Sequence, residues 1–240
     1  MSGGLYMAKM GYAELTQSVE VLNTRSFDRT INLKEPIYNA VKRLFDILIS
    51  LIGCVLLVPL IIVIKVIYVL NKDFDPIIFK QNRIGQNGKE FKFYKIRTMV
   101  PNADEKLQEI LKENDELAKE YNKYKKLAND PRMTKVGKAL RKTSLDEFPQ
   151  FINVLIGNMS LVGPRPYLPR EKEDMHEYYN RIITCKPGLT GYWQTQGRSN
   201  KDFYERLKMD EYYVKNRKFS LDTKIFFKTF SRLIDRNGAK

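Results

Sequence analysis

The sequence has few of the residues on which several common kinds of catalytic site depend. It contains one histidine, His176, in 240 residues. A Ser-His-Asp triad or a histidine-rich metal centre would have to rest on that one side chain. The two cysteines, Cys54 and Cys185, form neither a disulfide framework nor a metal-binding spacing. We therefore expect the catalytic part of the chain to face a reducing compartment.

Acidic residues are scarce relative to basic ones: 28 Asp and Glu stand against 42 Lys and Arg, which gives a formal net charge of +14. Such an excess favours nucleic acid, anionic lipid or phosphorylated small molecules as partners. The sequence contains no recognition helix, zinc site or RNA-binding aromatic motif. A membrane-tethered nucleic-acid binder stays an alternative on charge alone, but we expect no nucleic acid among the partners.

One long stretch without charge runs from Ile47 to Ile64. Its 18 residues would measure about 27 Å as a helix, barely enough to span a hydrocarbon core, and Pro59 interrupts it. Basic residues flank both ends, from Lys42 to Lys72. Positive residues mark the cytoplasmic side of a membrane, so a helix that bends and returns fits both flanks. The sequence predicts a re-entrant membrane helix hairpin over residues 42–72; a kinked single-pass anchor is the alternative.

The remaining segments predict an α+β, helix-rich fold. Residues 1–41 read as a leader, mobile or loosely helical, and do not resemble a cleavable signal peptide. Residues 73–240 are expected to form a cytoplasmic catalytic domain. Its predicted parts are a small β-hairpin around Gln86-Asn87-Gly88, a charge-rich helical excursion over 102–130, and interfacial amphipathic helices, including the tail "KIFFKTF".

Two adjacent carboxylates, Asp146 and Glu147, stand in the run "LRKTSLDEFPQF". One interpretation is a capping box that pairs Ser144 with Glu147 at a helix start. Pro149 disfavours it, because at the fifth helical position proline would remove a hydrogen bond. A helix that begins at about Asp146 tolerates the proline and ends at Gly157. Adjacent helical residues point about 100° apart, so the two acids need separate roles.

Two later loops could bind anions. In "SLVGPRPYLP", three prolines stiffen the backbone around Arg165, and arginine binds phosphate with two parallel hydrogen bonds. A solvent-exposed proline-rich turn is the alternative. The loop "KPGLTGYWQTQGRS", with Lys186 and Arg198, is a weaker candidate.

These segments together resemble the monotopic phosphoglycosyl transferases, a family of bacterial sugar transferases. The resemblance rests on "KRLFD", "FKFYKIRTM", "DPRMTKVGKALRKTSLDEFPQFINVLIGNMSLVGPRP", "KPGLTGYWQTQGR" and "YYVKN", in this order, over roughly Lys42 to Thr229. The run "PRPYLPREKEDM" looks most like the undecaprenyl-phosphate galactose phosphotransferase branch. Val58 stands before Pro59 where some members have serine. A non-catalytic relative would be expected to have lost the Asp-Glu pair or the Pro-Arg-Pro loop, and both are intact.

The resemblance implies a reaction and a site. Asp146 would attack a UDP-sugar, with galactose favoured and glucose or an N-acetylated sugar as alternatives, and would pass the sugar phosphate to undecaprenyl phosphate. Asp146 and Glu147 would lie near Mg²⁺. Arg165 would bind a substrate phosphate, with Arg141, Arg97 and Arg198 as less certain helpers. This would be the first membrane step of exopolysaccharide, capsule or O-antigen synthesis, at the cytoplasmic face of the bacterial inner membrane. The sequence leaves homo-oligomerisation open.

Overall fold

The computed structural model describes residues 34–196 and 201–234. The predicted leader therefore lies outside the described residues as far as residue 33, as does Arg198. The described chain begins with one long helix, α1 (Lys34–Leu70), and continues into a β-hairpin of β1 (Ile78–Ile84) and β2 (Glu90–Ile96). The later helices and strands are α2 (Ala103–Glu113), α3 (Asp115–Tyr124), α4 (Lys135–Thr143), α5 (Gln150–Ile156), β3 (Ser160–Val162), α6 (Tyr178–Ile182), β4 (Gly188–Thr190), α7 (Tyr192–Thr195), α8 (Phe203–Asn216) and α9 (Phe219–Ile234). The helix-rich α+β prediction is confirmed.

The β-hairpin is confirmed at the predicted turn. Its strands are antiparallel, and a 3₁₀ turn over Gln86–Gly88 joins them. Asn87 and Gly88 both have positive φ (57° and 76°), a backbone region that these two residue types tolerate best. Residues that are directly opposite in an antiparallel pair point to the same face. In the register, Gln81 is opposite Phe93, Arg83 is opposite Phe91, and Phe79 is opposite Lys95. Gln81, Arg83 and Lys95 therefore lie on the same face of the hairpin.

One side of α1 packs against the rest of the chain along most of its length. From Val41 onward the chain forms one compact unit. The buried residues of α1 recur at helical spacing: Asp46, Ser50, Gly53, Leu57, Ile64 and Tyr68. A Cβ on Gly53 would lie 2.4 Å from the ring of Phe151, so α1 and α5 meet where only glycine fits without adjustment. This packed side extends about 39 Å, from Lys42 to Tyr68.

Polar contacts fix both ends of that packed side. Arg43 donates to the carbonyls of Val154 (2.7 Å) and Leu155 (2.8 Å), near the C-terminus of α5. Asp46 Oδ1 accepts the backbone N–H of Leu161 at 2.9 Å. At the other end the hydroxyl of Tyr68 donates to the carbonyl of Arg97. α1 is therefore held to the domain at both ends rather than projecting from it.

The opposite side of α1 is apolar and uncovered. Between Leu48 and Val66, nine large apolar side chains are each more than half exposed: Leu48, Leu51, Ile52, Val55, Leu56, Val58, Ile62, Val63 and Val66. An exposed apolar surface of this size marks a membrane or protein interface. By length and composition α1 could also cross a membrane; its most apolar 18-residue window has a mean hydropathy of 3.2.

Pro59 does not interrupt α1, which runs helically through it from Lys34 to Leu70. The helix also begins eight residues before Lys42, the predicted start. The predicted re-entrant topology depends on how α1 sits in a bilayer and stays a prediction.

Three clusters of buried apolar side chains hold the domain together. The central cluster joins β2, α5, β3, α8 and α9: Phe93, Val154, Met159, Leu161, Val162, Tyr213 and Ile225. A second lies under the segment that follows β3: Ile84, Tyr167, Met175, Ile182, Phe203 and Leu207. The third attaches the C-terminal half of α1 to the open end of the hairpin: Ile64, Tyr68, Ile96 and Leu140.

The segment between α4 and α5 differs from both sequence interpretations. Ser144 ends α4 in a left-handed conformation (φ 56°) and its side chain makes no capping bond, so the capping-box interpretation is wrong. Asp146 lies in a separate 3₁₀ turn, Leu145–Glu147. The α-helix itself starts at Gln150, not at about Asp146, because Pro149 has no N–H to continue the hydrogen-bond pattern. Gly157, with φ 92°, ends α5 as predicted.

Candidate active site

The 3₁₀ turn between α4 and α5 buries Asp146 against the β-hairpin. Asp146 is 2% exposed, and the Nζ of Lys95 on β2 lies 2.7 Å from its Oδ2. The contact has the distance of an ion pair, but its angles are not those of a hydrogen bond. The lysine therefore balances the buried negative charge without saturating the oxygen. Such an oxygen can act as a nucleophile or a metal ligand. Glu147 follows in the same turn and is half-buried.

The loop after β3 holds Arg165 in a dense polar network. Its backbone N–H donates to Asp210 Oδ2 at 3.0 Å, and its Nη1 donates to Glu171 Oε1 at 3.3 Å. Glu171 also accepts the N–H of Leu168 (2.7 Å), and Tyr167 donates its hydroxyl to Asp210 (2.7 Å). Two buried carboxylates, one on α8 and one in the turn after Leu168, thus fix the Pro-Arg-Pro loop.

Burial and neighbouring charges shift the pKa values of this network. Burial raises the pKa of Asp210, which is fully buried, to about 6, although Tyr167 and Arg165 oppose the shift. Burial would also raise the pKa of Glu171, but Arg165 and the N–H of Leu168 hold that pKa below its usual value. Burial alone would lower the pKa of Arg165, yet Glu171, Tyr167 and Asp210 raise it overall. Arg165 is therefore a fixed positive charge.

Two further arginines lie beside Arg165. Arg83 at the end of β1 donates to the carbonyl of Pro166 at 2.9 Å. Arg206 on α8 donates to the carbonyl of Tyr124. Burial and the charge of Arg165 lower the pKa of Arg83 to about 9 and that of Arg206 to about 10. Both guanidinium groups still carry their charge at neutral pH, so this end of the hairpin is strongly positive.

The three predicted helper arginines are placed differently. Arg97 is 9% exposed and binds Asp73 (2.6 Å) and the carbonyl of Pro76 (2.9 Å), so it links the end of α1 to the hairpin. Arg141 is exposed on α4, with its Nε 3.1 Å from Thr98 Oγ1. Arg198 lies outside the described residues. Their roles in phosphate binding stay predictions.

Comparison with known proteins decides the family. The family described as bacterial sugar transferase matches residues 37–236. The chain is 44% identical over 209 residues to an undecaprenyl-phosphate galactose phosphotransferase of Salmonella typhimurium, and 42% identical over 200 residues to the galactosyl transferase CpsE of Streptococcus agalactiae. These matches cover 87% and 83% of this chain and 43% of each relative. A third relative, the exopolysaccharide production protein ExoY of Sinorhizobium fredii, is 41% identical over 85% of this chain and 90% of its own length.

The chain belongs to the bacterial sugar transferase family. It spans less than half the length of the first two of these relatives and most of the third. The resemblance stated from the sequence motifs is confirmed.

Four residues of the candidate site were not assigned a role from the sequence: Lys95, Arg83, Glu171 and Asp210. Lys95 lies in the quoted motif "FKFYKIRTM", but its role depends on the packing of β2 against the turn of Asp146. Glu171 and Asp210 follow polar segments that resemble any solvated surface. Only the fold shows that both carboxylates are buried against Arg165.

The predicted magnesium site can be tested against the metal-binding side chains of the described residues. Within residues 34–196 and 201–234, no group of three or more His, Cys, Asp or Glu side chains could hold a metal ion. Mg²⁺ that is bound with a nucleotide needs only one or two carboxylates and completes its shell with phosphate oxygens and water. Asp146, with one oxygen unsaturated, and the neighbouring Glu147 fit that second kind of site.

Proposed function

We propose that this protein transfers a sugar 1-phosphate from a UDP-sugar to undecaprenyl phosphate through a covalent intermediate on Asp146. The observation that carries the proposal is the buried Asp146 carboxylate, balanced by Lys95 but not hydrogen-bonded at Oδ2. A carboxylate that is desolvated and kept charged is a stronger nucleophile than one in water. The names of the Salmonella and Streptococcus relatives support the same reaction class.

The reaction consists of two displacements at one phosphorus atom. In the first, a carboxylate oxygen of Asp146 attacks the β-phosphorus of the UDP-sugar, and the bond to the bridging oxygen breaks, so UMP leaves with that electron pair. In the second, an oxygen of undecaprenyl phosphate attacks the same phosphorus and expels the carboxylate. The product is undecaprenyl-diphosphate-sugar, and Asp146 returns to its starting state.

The surrounding side chains have separate roles. Lys95 places a positive charge 2.7 Å from the Asp146 carboxylate. Arg165 binds a phosphate group and reduces the repulsion between two anionic reactants. Mg²⁺, when bound at Asp146 and Glu147, supplies charge neutralisation of the diphosphate. Arg141, Arg97 and Arg198 stay candidates for weaker phosphate contacts.

We favour galactose as the donor sugar. Two relatives of at least 42% identity carry galactose or galactosyl in their names, and "PRPYLPREKEDM" resembles the galactose branch. Glucose or an N-acetylated sugar is the alternative. A panel of UDP-sugars, scored by UMP release in membranes with undecaprenyl phosphate, separates them, and faster release with another sugar would replace galactose.

We propose that α1 lies in the cytoplasmic leaflet of the bacterial inner membrane with its uncovered side in lipid. A helix that crossed the bilayer would carry one end away from a water-facing domain. α1 instead contacts the same domain near Arg43 and again at Tyr68. This arrangement supports a monotopic placement in which both ends of α1 face the cytoplasm, and such a placement would hold the site at the depth of the lipid phosphate. Cytoplasmic residues 73–240 would then carry the chemistry, and homo-oligomerisation stays open.

The covalent step can be tested without lipid. Purified protein with Mg²⁺ and UDP-galactose is expected to exchange labelled UMP into the UDP-galactose pool before any polyprenyl phosphate is added. The exchange should vanish in Asp146→Asn and persist in Asp104→Asn, a matched change of an exposed aspartate. Exchange that requires lipid phosphate would contradict a covalent intermediate, because a direct displacement leaves no state that can take UMP back.

A further inference from the structure

Arg83 is bound to the same loop that carries Arg165. Its Nη1 donates to the carbonyl of Pro166 (2.9 Å), and the backbone N–H of Ile84 donates to the carbonyl of Tyr167 (2.9 Å). Its Nη2 donates to Gln81 Oε1 (2.9 Å), and its guanidinium lies 5.2 Å from the centre of the Phe93 ring. Arg83 is therefore held in one orientation beside Arg165.

The charges around this pair do not balance. Three guanidinium groups, those of Arg83, Arg165 and Arg206, share the region with two buried carboxylates, Glu171 and Asp210. Glu171 forms an ion pair with Arg165, and Asp210 accepts only from a backbone N–H and a tyrosine hydroxyl. Like charges held together at a partly buried site are unfavourable unless an anion offsets them.

Arg83 also has a hydrogen-bond donor to spare. Its Nε–H is buried and has no partner. A buried polar group without a partner costs free energy, and native structures rarely keep one without a use. Arg132 shows the contrast: its Nε and Nη2 both bind Asp130 (2.8 and 2.6 Å), and its Nη1 binds the carbonyl of Ala103 (2.9 Å). The Nε, Nη1 and Nη2 atoms of Arg132 all donate hydrogen bonds within the protein, whereas the Nε–H of Arg83 donates none.

The position of Arg83 relates it to the nucleophile. Arg83 and Lys95 share one face of the hairpin, and their strand positions are four residues apart in the register. At 3.3 Å per residue, the two backbone positions are about 13 Å apart. Both side chains are long and Gln81 lies between them, so the distance between the two charged groups can be shorter than this. Phe93 also lies between them on this face and is buried in the central cluster, so the register sets the separation of Arg83 and Lys95 but shows no open path along the face.

We propose that Arg83, oriented by Gln81 and Pro166, binds a phosphate group of the substrates together with Arg165. This rests on the proposed function. The group that Arg83 would bind is a phosphate, and this phosphate belongs either to the nucleotide donor or to the polyprenyl phosphate. The closed end of the hairpin lies away from the α1 contacts at Ile96, which favours the donor.

The test measures ligand affinity and stability in the same variants. UDP with Mg²⁺, and separately a short-chain polyprenyl phosphate in detergent, are titrated into the full-length wild type, Arg83→Met, Arg83→Lys and Arg132→Met. Thermal unfolding without ligand is measured for each. We expect Arg83→Met to weaken binding of one ligand on the order of 10- to 100-fold, and Arg83→Lys to do so less.

Stability separates this role from a structural one. Removal of an unbalanced buried charge should lower the unliganded Tm of Arg83→Met less than the Tm of Arg132→Met, which leaves Asp130 unpaired. Arg132→Met should bind both ligands as the wild type does. If only UDP binding weakens in Arg83→Met, the phosphate is that of the donor; if only lipid phosphate binding weakens, it is that of the acceptor.

Two results would overturn the inference, and they differ. Wild-type affinity for both ligands in folded Arg83→Met or Arg83→Lys means that Arg83 does not bind phosphate, while the proposed reaction stands. A wild type that binds neither ligand contradicts the proposed function itself, and the inference falls with it.

Discussion

Asp146 depends on a partner that lies on a different element, Lys95 of β2, and this single ion pair gives the residue its chemical character. The sequence alone shows two adjacent acids and requires separate roles for them. It does not show that one of them is buried against a lysine, because that contact exists only after the hairpin packs on the turn before α5. The contribution of Lys95 to the reaction can therefore be tested by substitution.

Lys95→Met is expected to reduce lipid-independent UMP exchange on the order of 10²-fold, because the carboxylate loses the charge that orients it. The fold should survive with a lower Tm, since the methionine stem fills the same space but leaves the buried Asp146 carboxylate without its ion-pair partner. Lys92→Met is the matched control: Lys92 lies on the other face of β2 and is exposed. Equal exchange rates in the two variants would show that the ion pair is incidental.

Asp210 leads to a prediction about pH. Its pKa is raised from the usual 3.8 to about 6, so the folded state binds the proton more tightly than the unfolded state. The stability contributed by this proton is present below about pH 4 and is lost as pH rises through about 6, a change of roughly 3 kcal/mol. Asp210→Asn cannot titrate and lacks this change.

The free energy of unfolding in detergent, measured from pH 4 to 7, checks the effect as the difference between the wild type and Asp210→Asn. The free energy of unfolding of Asp210→Asn relative to that of the wild type should rise up to about pH 6 and then stay constant. Asp104→Asn, at an exposed aspartate, serves as the control for general carboxylate titration. A constant difference over the whole range would mean that Asp210 titrates at its ordinary pKa.

At the scale of elements, the hairpin could be predicted and the start of α5 could not. Alternating apolar and basic residues around Asn87-Gly88 are sufficient for the hairpin, because turn chemistry and strand period agree. The 3₁₀ turn at Leu145–Glu147 depends on the left-handed Ser144, a conformation that serine rarely adopts and that no local pattern signals. The network around Arg165 needs α8, which is distant in sequence, so only the loop's stiffness was predictable.

The crossing of α1 and α5 is expected to be sensitive to volume. Gly53→Leu places a side chain where even a Cβ would lie 2.4 Å from the Phe151 ring. Such overpacking costs about 1–3 kcal/mol, measurable as a lower Tm in detergent. Val55→Leu, on the uncovered side of α1, should leave the Tm unchanged. The double variant Gly53→Leu with Phe151→Ala should recover part of the lost Tm. If the Tm does not recover, the steric clash is not with Phe151.

For the whole molecule, the decisive question is which side of the membrane each flank of α1 faces. The proposed placement predicts that both flanks are cytoplasmic. Cysteines introduced at Ser26 and Ser220, with Cys54 and Cys185 replaced by alanine, can be treated with an impermeant thiol reagent. In intact cells of a strain with a permeable outer membrane neither should react, and after lysis both should. Labelling of Ser26→Cys alone in intact cells would establish a crossing helix.

The attachment of α1 along its length has a mechanical consequence. The helix is bonded to α5 and β3 through Arg43 and Asp46 and to the hairpin through Tyr68, so it can neither roll about its axis nor tilt apart from the domain. A change in bilayer thickness or curvature that reorients the helix must therefore rotate Asp146 and Arg165 by the same angle. The lipid composition of the membrane would then set the angle between the reacting carboxylate and its acceptor. A flexible tether would not transmit such a change, because the domain could rotate independently of the helix.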